Sequence, residues 1–380
     1  MTIVLTGGGT GGHITPILAV AHELKRLRPD IHLVYIGERQ GKFGHLMTDN
    51  PDIDEVHTIF AGKFRRYHGE SWLKRVFAVK TNLQNLRDAC FVLLGIFQSY
   101  RLLGKIKPRA VFQKGGYVGM PVGLAAARRK VPIVTHDSDI LPGLANRVVG
   151  RWAKYHATGM PAEYYKYKQA DVRHVGVLVA DEYEPVTPAI QKQYKIALGL
   201  PATARVVFVT GGSLGARAIN LAMVKIAPAL LERFGDLYIL HQVGKGNLRV
   251  YGDFQHPRLQ PTEFVDGLHR FMGAADLVVT RAGANTLAEL GVQGKACVVV
   301  PNPLLTGGHQ VKNTEYLLQQ EAILAVDEKQ LSQQPDLLEQ AIEALLQDNA
   351  KRKLLGDKLQ AITIPDATHR LALLLLEAAT

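Results

Sequence analysis

One unit occurs twice in this chain. The first copy is "VLTGGGTGGHITPILAVAHEL", near the start; the second is "VVFVTGGSLGARAINLAM", just past the middle. In each, a short β-branched run passes through Thr-Gly-Gly (Thr6-Gly7-Gly8 and Thr210-Gly211-Gly212) and then changes to helical spacing. Ile14, Leu18, Ala21 and Leu24 set that spacing in the first copy. A strand that turns on glycines into a helix lets the backbone approach a ligand closely, and it points the helix's free N–H groups at it. Gly7, Gly9 and Gly12 fit G-x-G-x-x-G, and the acidic Glu38 follows the next strand. That keeps a dinucleotide site open beside the plainer reading of a tight structural turn.

The rest of the chain alternates strand and helix. Strands are expected near 2–6, 31–36, 55–60, 110–113, 131–135 and 155–158, with helices near 14–28, 71–104, 118–130 and 142–152. After the second glycine turn, strands are expected near 237–241, 257–264, 276–280, 296–300 and 322–326. Alternation of this kind predicts parallel sheets covered on both faces. The polar, Pro-containing "GVLVADEYEPVTP" at 176–188 reads as a linker. The expected organisation is a first domain over 1–175, the linker at 176–188, a second domain over 189–364 and a Leu-rich helix over 365–380. Ligands of such sheets sit off the carboxyl ends of the strands.

At 380 residues the chain suits two domains. Its two cysteines, Cys90 and Cys297, stand in no C-x-x-C pattern, so no zinc or disulfide framework is expected. No apolar run approaches the ~18 residues of a membrane span, and no signal peptide is expected. Net charge is +11, unevenly spread: residues 1–160 hold 23 Lys and Arg against 11 Asp and Glu, and 161–380 hold 22 against 23. The excess is densest in 60–109, where 11 basic residues face only Glu70 and Asp88. There Arg65, Arg66 and their neighbours mix with Phe64, Trp72, Phe77, Phe91 and Phe97. Basic residues beside aromatics suit an anionic membrane surface. The alternative is a solvated helix whose apolar side is core.

The second half places polar groups after three successive strands. Gly211, Gly212, Ser213 and Gly215 can cradle a phosphate at a helix start. Arg281, Gly283, Asn285, Thr286 and Glu289 span one strand-to-helix turn, and Glu289 suits two ribose hydroxyls. His309 and Gln310 follow the next strand in a Gly-rich loop. Taken singly, Glu289 also reads as a surface helix charge, His309 as a loop residue and Arg281 as an ion-pair partner; together, polar groups at three strand ends are less easily read as surface.

In order along nearly the whole chain stand "GGGTGGHITP", "GKFRRY", "GGYVGMPVGLAA", "GLANR", "GGSLGARAIN", "RAGANTLAE" and "HQVKN". This series resembles glycosyltransferase family 28, of the GT-B fold: α/β, with two doubly wound Rossmann-like domains facing across a cleft. The resemblance implies inverting transfer of N-acetylglucosamine from UDP-N-acetylglucosamine to the 4-hydroxyl of undecaprenyl-pyrophosphoryl-MurNAc-pentapeptide. It implies a peripheral enzyme at the cytoplasmic face of an anionic membrane, a place in a cell-wall synthesis complex, no cofactor, no metal and no nucleic acid. On the donor side it points to Ser213 and Thr286 for phosphates, Glu289 for ribose, the Val265 backbone for uracil, His309 and Gln310 for sugar hydroxyls, and Asn220 and Arg281 as matching polar positions. On the acceptor side it points to Thr10, Gly11, Gly12, Tyr117, His136, Asp137 and Asn146. Arg65, Arg66, Trp72 and Phe77 would meet the membrane, and the last helix would cross back onto the first domain.

His13 is the candidate base. A helix N-terminus disfavours imidazolium, and neutral imidazole accepts a proton. A hydrogen bond to acceptor pyrophosphate is the equal alternative, and a plain helix cap is the dull one. The chain departs from the family where His136-Asp137-Ser138-Asp139 replaces His-Glu-Gln-Asn. Asp139 puts an anion near the acceptor pyrophosphate and calls for compensation from His136 or Arg147. Val177-Leu178-Val179-Ala180 also replaces the family's Asn-Pro-Val-Arg. Runner-up functions are a transferase acting on another lipid-linked sugar, a UDP-N-acetylglucosamine 2-epimerase, a nicotinamide oxidoreductase using only the first turn, and a non-catalytic nucleotide sensor.

Overall fold

The computed structural model describes residues 1–8, 11–39, 41, 44–63, 79–167, 171–304 and 306–380. The chain divides into two compact units, one of Met1–Ala180 with Asp366–Thr380 and one of Asp181–Pro365.

Unit 1 holds a parallel sheet of seven strands: β1 (Thr2–Thr6), β2 (His32–Glu38), β3 (Glu55–Ile59), β4 (Ala110–Gln113), β5 (Ile133–Asp137), β6 (Tyr155–Thr158) and β7 (Asp171–His174). Their order across the sheet is β3-β2-β1-β4-β5-β6-β7. β1 pairs in parallel register with both β2 and β4, Thr6 standing opposite Gln113. The central strands read as unbroken apolar runs because both faces are covered, and Ile3, Val4, Leu5, Val111 and Phe112 are wholly buried. β7 is Asp-Val-Arg-His. It carries no apolar alternation because it forms the solvated edge, and its sequence gave no strand signal.

The last helix, Ala367–Ala379, packs on unit 1. Leu371, Ala372, Leu375, Ala378 and Ala379 are buried, and Thr368 Oγ1 donates to the Val179 carbonyl at 2.8 Å. Tyr155 OH donates to Glu377 Oε1 at 2.6 Å. Val177, Leu178 and Val179 lie inside unit 1, so the apolar start of the segment read as linker is core, and the change of unit falls after Ala180.

Unit 2 repeats the topology with six strands: β8 (Arg205–Thr210), β9 (Leu237–Gln242), β10 (Leu259–Thr262), β11 (Leu277–Thr280), β12 (Cys297–Val299) and β13 (Leu324–Ala325), ordered β10-β9-β8-β11-β12-β13. Phe208 is fully buried at the middle of β8, and Thr210 stands opposite Thr280 of β11.

The helix Val79–Ile106 is amphipathic. Asp88, Val92, Ser99 and Leu103 are buried. Its backbone comes so close to the sheet side that a Cβ at Gly95 would lie 2.0 Å from the Phe60 carbonyl oxygen. Leu83, Leu86, Leu93, Leu94, Phe97 and Tyr100 are exposed. By length and composition Thr81–Ile106 is apolar enough to cross a membrane, contrary to the expectation from the sequence. Its packed side shows why the composition misleads: this is a surface helix with one face in the core and an apolar ridge on the other. Arg65, Arg66, Trp72 and Phe77 lie outside the described residues, as does Thr10.

Candidate functional site

In each unit the strand order reverses beside the glycine turn, and such switch points are where open α/β sheets bind ligands.

In unit 1, β1 ends in Gly7-Gly8 and β4 in Lys114-Gly115-Gly116. The two turns interlock. A Cβ at Gly116, whose φ is +76°, would lie 2.2 Å from the Gly8 carbonyl oxygen. No side chain fits there, and the helices Gly11–Leu27 and Gly116–Arg128 both begin at this point. Gly115 caps the second helix without a side-chain hydrogen bond, leaving first-turn N–H groups for a ligand. Gly11 and Gly12 lie in the first turn of the other.

His13 is half-buried in that first turn. Burial, then the charge of Lys114, pushes its pKa down to about 4, so the ring is neutral at pH 7. Lys114 itself was overlooked in the sequence. Only 4% exposed, its Nζ donates to Ser138 Oγ at 2.8 Å. Burial brings its pKa down to about 8, against the opposing charges of Asp137 and Asp139. At neutral pH it remains a cation. The signal for it in the sequence was a lone charge after the apolar "AVFQ" and before Gly-Gly.

His136, Asp137 and Asn146 form a closed network. Asp137 Oδ1 accepts from Gly143 N at 3.0 Å and Asn146 Nδ2 at 2.9 Å, and Oδ2 accepts from Tyr167 OH at 2.7 Å. Asn146 Nδ2 also donates to the His136 carbonyl, and its Oδ1 accepts from Gln113 Nε2. His136 Nε2 donates to the Gly176 carbonyl at 2.9 Å. These three residues brace β4, β5 and the segment after β7. Burial, with Lys114 beside it, holds His136 far below an ordinary imidazole pKa. His136 therefore does not supply the charge expected to offset Asp139; Lys114 does. Tyr117 OH donates to Glu38 Oε2 at 2.5 Å, so the acid that kept a nicotinamide reading open is engaged by a tyrosine.

In unit 2 the glycine loop packs backbone against backbone. A Cβ at Gly215, φ +72°, would lie 2.0 Å from the Val243 carbonyl oxygen. That carbonyl accepts from Asn220 Nδ2 at 2.8 Å, Asn220 Oδ1 meets His241 Nε2 at 3.1 Å, and His241 Nδ1 meets Tyr251 OH at 2.8 Å. Asn220 is 3% exposed, so it holds the loop from behind rather than reaching a ligand. His241 and Tyr251 were missed in the sequence; nothing marks a buried polar pair whose members are ten residues apart. Thr210 Oγ1 donates to Gln242 Oε1 and accepts from Gly212 N, bracing the turn further.

Arg281 Nη1 donates to the Val300 carbonyl at 3.0 Å and Glu328 Oε2 at 2.6 Å. Its charge is matched inside the unit. Gln310 Oε1 accepts from Asn302 N at 2.9 Å, an internal brace of the loop. Val265 belongs to the core by its side chain. His309 opens the helix His309–Gln319.

Three groups remain for a ligand. Ser213 is exposed, and Thr286 lies in the first turn of the helix Ala284–Val292, whose cap Gly283 offers no side-chain hydrogen bond. Glu289 stands one turn further, half-buried. None of the three side chains hydrogen-bonds to another described residue. Burial, with Glu182 adding like charge, pushes the Glu289 carboxyl up to about 7. Among the described residues no cluster of His, Cys, Asp and Glu is arranged to hold a metal ion.

A parallel-sheet unit with a phosphate-ready glycine turn, occurring twice, is the architecture of a GT-B glycosyltransferase. Residues 3–158 match the glycosyltransferase family 28 N-terminal domain and 206–371 the family 28 C-terminal domain, so this chain belongs to that family. Among curated relatives, a Salinibacter ruber protein is 32% identical over 376 residues, 97% of this chain and 95% of its own. A Desulfitobacterium hafniense protein is 31% identical over 388 residues, covering all of both chains. Each is named UDP-N-acetylglucosamine–N-acetylmuramyl-(pentapeptide) pyrophosphoryl-undecaprenol N-acetylglucosamine transferase. The crystal structure of Acinetobacter baumannii MurG superposes with a TM-score of 0.72 at 23% identity, covering 99% of both chains.

Proposed function

We propose that this chain transfers N-acetylglucosamine from UDP-N-acetylglucosamine to the muramyl 4-hydroxyl of a lipid-linked pentapeptide acceptor, with inversion. Full-length similarity to relatives carrying that name, joined to two ligand-ready switch points, supports the reading. Unit 2 takes the donor: Ser213 and the start of the helix at Thr286 meet the diphosphate, Glu289 the ribose, His309 the sugar. Unit 1 takes the acceptor, with its pyrophosphate at the interlocked glycine turns. His13 is neutral and able to accept the proton of the attacking hydroxyl. Arg281 acts through its fixed position rather than as a loose cation, since Glu328 holds it. Helix N-termini stabilise the departing UDP.

The acceptor reading also calls for a peripheral membrane surface. The exposed ridge Leu83, Leu86, Leu93, Leu94 and Phe97 supports one, with Arg87 and Arg101 stacked over Phe91 and Phe97. The segment with Arg65 and Arg66 is proposed to join it.

The deciding experiment is transfer from labelled UDP-N-acetylglucosamine to undecaprenyl-pyrophosphoryl-MurNAc-pentapeptide, with the product linkage determined. A labelled β-1,4 disaccharide on the lipid is expected; UDP-N-acetylmannosamine instead would make the enzyme an epimerase. Leu93→Glu with Phe97→Glu should release the protein from anionic vesicles, and undiminished binding would remove the ridge from the membrane surface.

A further inference from the structure

We propose that Lys114 binds an anionic oxygen of the acceptor's pyrophosphate, with Ser138 aiming its ammonium into the switch point of unit 1. The inference rests on the assignment of the acceptor to that unit.

The state of the side chain is unusual. Lys114 is buried to all but 4%, yet its ammonium makes one hydrogen bond, to a neutral hydroxyl, and forms no ion pair with a described residue. An ammonium has three N–H donors, and a buried charge is costly to keep without matched partners. Asp137 is near enough to favour the charged form but makes no ion pair with it, and its carboxylate is instead held by Gly143, Asn146 and Tyr167. The cation is thus kept charged by the field of its neighbours and left with donors to give.

Its position gives those donors a target. The backbone N–H of Lys114 is fixed to the Thr6 carbonyl at 3.0 Å, and the residue sits between β1 and β4 where both helices start. The glycine turns on either side admit backbone amides and no side chains. Its charge depresses both His13 and His136, so the ammonium lies within the electrostatic reach of both rings, and both rings are neutral. A diphosphate entering there meets amide donors from two helix starts and one buried cation, the donor set that binds phosphate elsewhere.

The same arrangement accounts for the departure at 136–139. Ser138 is the residue that holds Lys114, and Asp139 is the anion that Lys114 balances. Lys114, Ser138 and Asp139 work as one set.

The test uses the full chain with Lys114→Met, which keeps the aliphatic stem. Loss of a charged hydrogen bond predicts an acceptor KM raised about 10- to 100-fold with the donor KM little changed. Inorganic pyrophosphate should compete with the acceptor in the parent chain and lose that inhibition in the variant. Ser138→Ala should shift the acceptor KM in the same direction by less. A variant with a lowered Tm but an unchanged acceptor KM, or pyrophosphate that competes only with donor, would overturn the inference. Should the parent chain fail to use the lipid-linked acceptor, the functional reading falls. Thermal shift by pyrophosphate, present in the parent and absent in Lys114→Met, would still support the anion site; an equal shift in both would sink it.

Discussion

Unit 1 and unit 2 carry the same strand order and the same Thr-Gly-Gly turn, yet the groups around the two turns divide their labour in opposite ways. In unit 1 the turn is ringed by titratable groups held away from their ordinary states: His13 and His136 neutral, Lys114 charged but buried, Asp137 pushed up by burial. In unit 2 the turn is held from behind by the Asn220–His241–Tyr251 chain, and the groups in front, Ser213, Thr286 and Glu289, are uncommitted. A shared topology provides a place for an anion. Which side chains are left over after the framework is satisfied decides what chemistry that place supports.

The contrast is broken most directly at His13. His13→Ala should reduce transfer about 100- to 10,000-fold while UDP affinity, measured by calorimetry, stays as it was. Near-normal turnover would show that unit 1 supplies no base. Next in size, Glu289→Ala should weaken UDP binding by about 10- to 100-fold, the expected value of a hydrogen bond to a charged group. Because the Glu289 carboxyl titrates at about 7, its ionised form gains population as pH rises through neutrality. UDP affinity should therefore increase between pH 6 and pH 8, and Glu289→Gln should abolish that slope.

A smaller effect is expected behind the loop. His241→Phe leaves Asn220 Oδ1 and Tyr251 OH without their buried partner, at a cost of about 1–3 kcal/mol. That is a fall in the unit 2 melting temperature of about 2–12 °C. The pyrophosphate inhibition tied to unit 1 should not move. Smallest is the response to mild acid. An imidazole whose folded pKa is depressed contributes stability that is full above its unfolded value of about 6.5 and is lost as pH falls towards the folded value. His13 and His156 lie at about 4 with His136 low as well, all in unit 1, whereas unit 2 has His241 at about 3. From pH 7 to about pH 6, hydrogen-exchange protection, taken relative to the intrinsic rate at each pH, should fall more in unit 1 than in unit 2. An equal loss of protection would mean that the burial of these rings does not set the difference between the units.

Much of the architecture could be read from the chain because parallel strands buried on both faces announce themselves. β1, β4 and β6 fall at 2–6, 110–113 and 155–158, where the apolar runs put them. β7 could not be read, since an edge strand of Asp-Val-Arg-His has no buried face to demand a pattern. The site was legible as a set of places and much less as a set of roles. Ser213 and Glu289 stand where the turns predicted polar groups at strand ends. Asn220, Gln310, Asp137 and Asn146 stand there too, but their polar atoms point inward to carbonyls and amides of the framework, 6 to 33 residues away in the chain. Residue type and spacing do not distinguish a group that faces a ligand from one that satisfies a buried backbone atom.

The sequence by itself determined the doubling of the fold, the two glycine turns and the helices that start from them. These are local consequences of β-branched runs, glycine's freedom at positive φ and helical spacing. The tertiary structure alone decided that Lys114 rather than His136 carries the charge beside Asp139, that Arg281 is tied to Glu328, and that Leu93 and Phe97 face outward. Each of those outcomes depends on desolvation and on partners up to 47 residues away in the chain, and neither is fixed until the sheets assemble.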